Sequence, residues 1–574
     1  MNLLTITMDK DRSLTPSVYS LGVEGDHKID KIVLATSKLW EDTDVSKADV
    51  AIHIMTENGY FHNAVCEERL VDEECVRFFF PVTREMTCKS GKLKVEFSFS
   101  DASLPFSFTS RTAELLVGDS LTDSEEIESD YSGLLWDVVG KVEGFSSRLE
   151  VTEDSVAELE KSVEQIDEIK GFLGYNDEDV LGLEADFENS TFTRLAGARG
   201  LEAGADFDSF AMYQRRRCNV GDDGTIVAYY GDENYREDGS NGQVMVYQPA
   251  FYYRVVPTKL EKIDGNLGYH VRKASYYISA KPKPSFKLHP AFYDENGKPV
   301  EYILYGAYEG NVSGEKLCSV AGVKPTANET RLSFEGYAKA RGAGWHIETI
   351  EAISLNQLLM AIEYASFNAQ ESIGMGVVAI KDDGANNCAS ITGSTAFLGN
   401  DTGSAVSTVN EKGGVETVYT EDGCVSVSYR GVENLWGNVY KHISNVNVWG
   451  DGTMLGGQPY VASDFSFSVN KHDGNYSPAG FTIPNSNMEY VNAFGYGNEK
   501  FDWLFAPSES VGTSALPIGD YRLGQFDVSA HYGVAFGGRY DTSFGAGCFM
   551  WRVCTITSGR RDIACRLIYL PVAK

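Results

Sequence analysis

Three cysteines near the carboxyl end are the first residues whose type and spacing suggest chemistry. Cys548, Cys554 and Cys565 lie in one short stretch that also contains three arginines. Arginine charges lower the pKa of a neighbouring thiol, so this set could serve a redox or copper site. Nothing in the spacing requires such a site, and no Cys-x-x-Cys pair occurs among the ten cysteines. We therefore expect buried or incidental thiols, with neither a zinc site nor a disulfide framework.

Other motifs give no support for catalysis. The sequence contains no His-Glu-x-x-His, no Walker loop and no Gly-x-Ser-x-Gly elbow. The cluster Asp222-Asp223-Gly224 lacks the spacing of a calcium-binding EF-hand loop and predicts a plain turn. The basic run Arg215–Arg217 is typical of an anion site or, preferably, of pairing with some of the 82 acidic residues. No catalytic residue, metal or cofactor is predicted, and we do not expect an enzyme.

Composition restricts the partners of the chain. The formal net charge is −32 over 574 residues, so a nucleic-acid interface, which needs clustered Lys and Arg, is not expected. An anionic membrane surface is disfavoured for the same reason. The first residues, MNLLTITMDKDRSL, contain no apolar signal region, and no run is long enough for a membrane span. These features predict a soluble chain that is made in the cytoplasm and does not insert into membranes.

The N-terminal part, residues 1–117, shows the period of short strands. In Lys92–Ser100 the side chains of Leu93, Val95, Phe97 and Phe99 fall on one face. Short strands that alternate with turn residues predict a β-sandwich domain.

Residues 118–180 begin with a polar, acidic linker and then change to a helical period. Apolar residues recur every three or four positions, which predicts a coiled-coil oligomerisation helix, with a long helix packed on its own domain as the alternative. These apolar residues do not determine how many helices form the coiled coil. The predicted oligomerisation residues are Leu135, Val138, Val142, Phe145, Leu149, Val156, Leu159, Val163 and Ile166.

Residues 181–574 show no convincing break. Strand-like runs alternate with Gly-rich turns, which predicts one large, irregular α+β domain. One helix stands out, because Ser354 and Gln357 form a capping-box pattern before an apolar run. We expect this helix to lie in the core.

Two stretches of this region resemble a known family. The run YRGVENLWGNVYKHI (Tyr429–Ile443) resembles the glycine and GNV-type signature of the C-type lectin-like fold of formylglycine-generating enzymes, and IACRLIYL (Ile563–Leu570) resembles its terminal strand. The resemblance implies a C-terminal α+β C-type lectin-like fold. The family's catalytic cysteine pair has no match by motif in this sequence, so the oxidase activity is not carried over.

Other stretches resemble phage proteins. Phe192–Asp232, Val244–Val256, Lys287–Phe292 and Tyr305–Gly310 look like segments of receptor-binding tail proteins. The N-terminal domain followed by a coiled coil looks like the attachment module of phage baseplate upper proteins. The resemblance implies docking to other tail or baseplate proteins through the N-terminal domain, and adhesion to a host cell-surface receptor, protein or glycan, through the C-terminal one.

The carboxyl end resembles the variable proteins of diversity-generating retroelements, such as the phage major tropism determinant. Gly537-Gly538, Ala546–Phe549 and Arg566-Leu567 match the family's fixed frame, with Tyr540 where Trp is common. Between Arg539 and Asp562 there is no Lys, Glu or Gln, as expected for rewritten Asn codons. The resemblance implies a variable segment at about 526–570 whose receptor-binding residues are Arg539, Tyr540, Asp541, Thr542, Ser543, Arg552, Cys554, Thr555, Thr557, Ser558, Arg560, Arg561 and Asp562.

Together these observations predict a multidomain chain: an N-terminal β-sandwich, a central α-helical coiled coil and a C-terminal α+β C-type lectin-like fold. The predicted protein is a virion component of a phage tail or baseplate, made in the host bacterial cytoplasm. It is expected to form a homotrimer, by analogy with fibres, and to present a diversified adhesive surface. The sequence leaves two alternatives open: a formylglycine-generating-enzyme-like oxidase that uses Cys548 or Cys554 with copper, and a purely structural tail protein.

Overall fold

The computed structural model describes residues 3–118, apart from 18–19, 24–25, 28–30, 41–42, 57–60, 73, 83–90 and 101–106, then residue 175, and residues 177–571 apart from 454, 466 and 556–558. The chain divides into two compact units, Met1–Val151 and Thr152–Lys574. Each unit is built mainly from β-strands.

The N-terminal unit consists of short strands because its sequence alternates apolar and polar residues between turns. Its strands are β1 Leu3–Met8, β2 Leu14–Pro16, β3 Ser20–Val23, β4 Asp26–His27, β5 Lys31–Ser37, β6 Leu39–Trp40, β7 Thr43–Asp44, β8 Asp49–Thr56, β9 Phe61–Val65, β10 Glu68–Val71, β11 Cys75–Pro81, β12 Gly91–Ser100, β13 Ser107–Thr109 and β14 Ala113–Gly118.

Two sheets share one hydrophobic core in this unit. One sheet has the order β10-β11-β5-β1-β2, and the other has β4-β3-β14-β12-β8-β9 with β13 added to β12. Phe78 and Phe80 of β11 meet Phe99 and Phe97 of β12, with ring centroids 5.9 and 5.3 Å apart. The strand predicted at 92–100 is confirmed, and its four apolar side chains are almost completely buried in this core.

The C-terminal unit has strands throughout and three α-helices among its described residues. The helices are α1 Arg331–Lys339, α2 Ile350–Tyr364 and α3 Ala369–Ile373. The strands are β15 Val180–Asp186, β16 Thr191–Ala196, β17 Arg216–Val220, β18 Ile226–Tyr229, β19 Gln243–Pro249, β20 Tyr252–Lys262, β21 Tyr269–Ser279, β22 Lys287–Leu288, β23 Tyr302–Glu309, β24 Asn311–Ser313, β25 Lys316–Cys318, β26 Trp345–Ile347, β27 Gly403–Ser404, β28 Thr408–Lys412, β29 Val415–Tyr419, β30 Val427–Tyr429, β31 Val432–Glu433, β32 Tyr440–Asp451, β33 Gly457–Ala462, β34 Tyr476–Pro478, β35 Ser486–Tyr490, β36 Ala493–Tyr496, β37 Pro507–Glu509, β38 Tyr521–Gly524, β39 Ser529–Phe536, β40 Trp551–Thr555, β41 Ile563–Ala564 and β42 Arg566–Tyr569.

Three large sheets organise this unit. They have the orders β16-β15-β21-β20-β22, with β36 on β21 and β37 on β36, then β18-β17-β19-β23-β42-β26, and β34-β33-β32-β39-β40-β38-β35 with β41 on β32. The last strand, β42, therefore lies between β23 and β26, which are more than 200 residues earlier in the chain. Much of the pairing is long-range, so local sequence signals do not specify it.

Helix α2 lies inside the C-terminal core. Thirteen of its 15 residues are buried, polar ones included, so the helix is surrounded by protein rather than facing solvent on one side. Thr349 caps it by accepting a hydrogen bond from the backbone N–H of Ala352. Ser354, predicted as the cap, is instead a buried residue inside the helix, and its hydroxyl donates to the carbonyl of Trp503. The capping-box prediction was therefore wrong, although the core location of the helix is confirmed.

The predicted fold class was also wrong. We expected an N-terminal β-sandwich, a central α-helical coiled coil and a C-terminal α+β C-type lectin-like fold. The described residues are instead mostly β-strand, and no long coiled coil is found among them. The heptad-like spacing of apolar residues does not establish a coiled coil, because such a period indicates only an amphipathic segment. All nine predicted oligomerisation residues, from Leu135 to Ile166, lie outside the described residues, and the homotrimer and domain boundaries stay predictions.

Candidate functional site

The predicted receptor-binding stretch begins with a tight turn after β39. Gly537 and Gly538 both have positive φ, near 84° and 85°. A Cβ atom at Gly538 would lie 2.6 Å from the Cβ atom of Ala546. Gly538 is therefore required both by its positive φ and by the lack of space for a side chain. The hydroxyl of Thr542 then accepts a hydrogen bond from the N–H of Arg539 at 2.9 Å. These contacts hold residues 539–542 in one compact turn.

The next residues are fixed from a distant part of the chain. The N–H of Ser543 donates to the carbonyl of Val378, and the Gln370 amide donates to the carbonyls of Ser543 and Ala546, both at 2.8 Å. The segment leads into β40, which pairs with β39. After residues 556–558, which the structure does not describe, Arg560 accepts a backbone hydrogen bond from Asn328 at 2.9 Å. After the turn at 539–542, the segment is therefore held mainly through its backbone groups.

Asp562 is the centre of the site. Its side chain is only 1% exposed and receives three arginines: Arg539 at 2.5 Å, Arg552 at 3.3 Å and Arg560 at 3.0 Å. Burial alone would raise the pKa of Asp562, but hydrogen bonds from Arg560 and the surrounding arginine charges outweigh it and lower the pKa to about 2. Asp562 is therefore ionised at neutral pH and orders the arginines around it.

A second carboxylate extends this centre. Asp382, 18% exposed, accepts two hydrogen bonds from Arg561, at 2.6 and 2.8 Å, and lies 3.4 Å from Arg539. The Asp541 carboxylate forms an ion pair with Arg539, with Nε of Arg539 2.6 Å from Oδ1 of Asp541. The arginine–aspartate cluster, as we call it, consists of Arg539, Arg552, Arg560, Arg561, Asp382, Asp541 and Asp562. Four guanidinium groups and three carboxylates leave it with one excess positive charge.

The structure brings six of the predicted residues into the arginine–aspartate cluster, but it does not expose the described ones equally. Tyr540, Thr542 and Asp562 are buried, at 0%, 8% and 1%, so the expectation that these three lie on the surface was wrong. They are buried because the turn and the arginines close over them. Ser543 is exposed, and the side chain of Arg560 is 45% exposed.

The remaining predicted residues fall into two groups. Arg539, Asp541, Arg552 and Arg561 are half-buried in the cluster, and Cys554 of β40 is half-buried nearby in the core of the last sheet. The side chain of Thr555 is not described, and Thr557 and Ser558 lie outside the described residues.

Sequence reasoning missed two members of this surface. Asp382 lies more than 150 residues before the predicted stretch, in a Lys-Asp-Asp-Gly run that reads only as a turn. Phe544 is 57% exposed beside Ser543, although its type suggests a core residue. No pattern in the sequence distinguishes this exposed phenylalanine from a core residue.

The other residues considered for chemistry are engaged in structure. Asp222 is paired with Lys316 at 2.7 Å and with Arg341, and Asp223 accepts Thr225 within the predicted turn. In the basic run, Arg217 is completely buried and pairs with Glu237 at 3.3 Å. Arg215 instead donates to the neutral side chain of Asn356 at 2.8 Å.

The three C-terminal thiols do not form a joint site. Cys548 and Cys565 belong to different core clusters, and burial raises the pKa of both well above its usual value. Burial also raises the pKa of Cys554, against the effect of the nearby arginines. In the described part of the chain, the only group of three metal-type donors is Asp382, Asp383 and Cys388, and Asp382 is already neutralised by Arg561. Since the three thiols lie in three different core clusters, they do not supply a shared set of copper ligands.

Comparisons with known proteins add little. No family model and no curated protein matches this chain. Among solved structures, the chain is weakly similar to a phage protein domain, the N-terminal domain of phage TP901-1 ORF48, over 20% of this chain and 97% of that one, with 10% identity and a TM-score of 0.15. A likeness at this score carries no argument about fold or function. Among the described residues, no helix is both long and apolar enough to cross a membrane.

Proposed function

We propose that this chain is a receptor-binding protein of a phage tail or baseplate. Its C-terminal unit adheres to a receptor on the host cell surface through the exposed rim of the arginine–aspartate cluster, and its N-terminal unit attaches it to other virion proteins. No reaction is catalysed.

One observation carries this proposal. Two stretches separated in sequence, Arg539–Ser543 and Arg552–Asp562, converge on a single carboxylate. Arg560 presents a half-exposed guanidinium on that carboxylate, and an exposed aromatic ring, Phe544, directly follows the first stretch in the chain. Aromatic residues and arginine are enriched at protein interfaces, and a rigid backbone lowers the entropy cost of binding.

The cluster also separates residues that hold the surface from residues that can change. Asp562 contacts three arginines, and its loss would leave Arg552 and Arg560 without their carboxylate partner. Ser543, Phe544 and Arg560 are exposed, and replacements at exposed positions usually cost little stability. Sequence diversification of the adhesive surface is therefore proposed at the exposed positions, with the buried members retained.

Adhesion can be tested with the full-length chain and intact cells. The fluorescently labelled protein is incubated with a panel of bacterial strains, and bound fluorescence is measured by flow cytometry. We expect saturable binding to some strains, and at least a tenfold loss of affinity in Phe544→Ser and in Arg560→Ser.

Each variant has a control with equal exposure elsewhere. Phe397 is also 57% exposed, and the side chain of Arg77 is 44% exposed against 45% for Arg560. Phe397→Ser and Arg77→Ser should bind cells like the unmodified chain. Equal binding by all four variants would contradict the proposed surface and favour a purely structural tail protein.

A further inference from the structure

A large cavity lies in the C-terminal unit, apart from the arginine–aspartate cluster. Its volume is about 740 Å³, which is within the range of small-molecule sites. It is bounded by the start of helix α2, by strand β33 and by the segments 287–297 and 499–503. None of its lining residues belongs to the cluster, so binding of a ligand in the cavity is independent of the proposed adhesion.

Aromatic rings form much of the wall of this aromatic cavity. The rings are those of Tyr253, Tyr293, Phe465, Phe467, Phe501 and Trp503. The face of an aromatic ring carries negative electrostatic potential and attracts cations within about 6 Å. Two of the rings already show this behaviour, since Lys500 lies 5.3 Å from the centroid of Phe501 and Lys339 lies 5.9 Å from that of Phe467.

The charged groups of the lining favour the same sign of ligand. Four carboxylates line the cavity, those of Asp294, Glu351, Asp464 and Glu499. The two lysines of the lining are Lys287 and Lys500. Lys287 is compensated by Asp502 at 2.9 Å, outside the lining. The lining therefore contains twice as many carboxylates as ammonium groups.

Glu351 is the carboxylate that is held most firmly. It stands in the first turn of α2, and both of its oxygens accept hydrogen bonds from the Asn445 amide, at 2.8 and 2.6 Å. Asn445 itself is 3% exposed and also accepts the N–H of Ile350 through its side-chain oxygen. Burial raises the pKa of Glu351, because its negative charge is poorly solvated there. A cation placed in the cavity would compensate this cost.

Other classes of ligand fit this lining less well. An anion would be repelled by the four carboxylates. A purely apolar ligand would displace the water that solvates these carboxylates and would donate no hydrogen bonds in its place. A cation with an apolar body satisfies the rings and the carboxylates together. We propose that the aromatic cavity binds an organic cation, an alkylammonium or arylammonium group, between its aromatic rings and its carboxylates.

The test compares a cation with its uncharged twin. Choline and 3,3-dimethylbutan-1-ol have the same shape, but carbon replaces the charged nitrogen in the second. Each is titrated into the full-length chain and followed by saturation-transfer NMR, with benzyltrimethylammonium as a larger cation. We expect saturable binding of both cations, at least tenfold tighter for choline than for the alcohol, and weaker at high salt because screening reduces the attraction.

Variants locate the binding in the cavity. Asp464→Asn removes an exposed lining charge, Glu351→Gln removes the held one, and Phe467→Leu removes a ring while keeping an apolar contact. Each should weaken choline binding severalfold, whereas Glu416→Gln, an exposed carboxylate on strand β29, should not. Equal binding of choline and the alcohol would overturn the proposal, as would no saturable binding of either cation. Preference for an uncharged sugar such as glucose, or insensitivity to all three lining variants, would overturn it too.

Discussion

The arginine–aspartate cluster and the aromatic cavity solve the same problem, charge inside a protein, in opposite ways. In the cluster, each carboxylate is in direct contact with at least one guanidinium, and Asp562 contacts three. In the cavity, Glu351 is held by the neutral amide of Asn445, and the lining has more carboxylates than lysines. In the first region every carboxylate is paired with arginine inside the protein, whereas the lining of the second contains more carboxylates than lysines.

This difference indicates what each region can recognise. A partner that meets the cluster contacts a rigid surface whose shape and exposed side chains select it, because the inner charges are already paired. A ligand that enters the cavity is selected by its own charge. The free energy of unfolding should therefore depend strongly on single charges of the cluster. Ligand binding should depend on single charges of the cavity.

The largest effect is expected from Asp562→Asn. The substitution keeps the shape but removes the carboxylate charge around which Arg539, Arg552 and Arg560 gather, and Asp562 is 1% exposed. Removing one partner of a buried ion pair lowers the free energy of unfolding by about 3–5 kcal/mol. We expect a loss of this size in the free energy of unfolding of the C-terminal unit, measured by urea denaturation at pH 7.

Asp179→Asn is the control for that comparison. Asp179 forms a pair with Lys283 at 2.7 Å, but its side chain is 52% exposed, and exposed pairs contribute at most about 1 kcal/mol. Equal losses in the free energy of unfolding of the two variants would show that Asp562 contributes no more than an exposed ion pair. The stability of the cluster would then not depend on this single charge.

Part of this molecule could be predicted from its sequence. The strand at 92–100 follows from strict alternation, which is a local signal. The start of helix α2 was missed because a serine pattern inside the helix resembles a cap, while Thr349 is the cap in the structure.

The candidate site was predictable only in its local part. Arg539, Arg552 and Arg560 meet at Asp562, but Asp382 joins them through tertiary packing, which leaves no pattern in the sequence. The cavity was not predicted at all, since its lining comes from segments between Tyr253 and Leu570 that are adjacent only in the folded chain. The burial of Tyr540 and Asp562 was likewise set by neighbours, not by residue type.

His289 beside the cavity and Asp562 in the cluster should respond to acid in different pH ranges. His289 packs beside the cavity rings of Tyr253 and Trp503 with no exposed surface, and burial lowers its pKa to about 3. Because this folded pKa is below the unfolded value of about 6.5, stability is complete above pH 6.5 and falls as the pH decreases toward 3. At pH 5 the loss from His289 is about 2 kcal/mol. Asp562, with a pKa of about 2, loses its contribution only below about pH 4.

His289→Asn isolates this contribution. Asparagine can still accept the backbone N–H of Ala291, as His289 does at 3.3 Å, but it does not titrate. The difference in the free energy of unfolding between pH 7 and pH 5 should be about 2 kcal/mol smaller in the variant than in the unmodified chain. The comparison uses the difference between the two pH values, because the shorter asparagine side chain lowers the free energy of unfolding by the same amount at both. An unchanged difference would show that acid sensitivity arises elsewhere.

The smallest effect on stability is expected from Ala352→Leu, which fills part of the cavity. Ala352 lies in helix α2 at 1% exposure and lines the cavity, whereas Ala361 of the same helix, also 1% exposed, does not. Overpacking a closed core costs about 1–3 kcal/mol, so Ala361→Leu should destabilise the unit by that amount, while Ala352→Leu changes the free energy of unfolding by less than about 1 kcal/mol. Ala352→Leu should still weaken choline binding, since the added side chain occupies the space of the ligand. If both variants destabilise the unit equally, Ala352 has no free space beside it, and the cavity cannot admit a ligand at the start of helix α2.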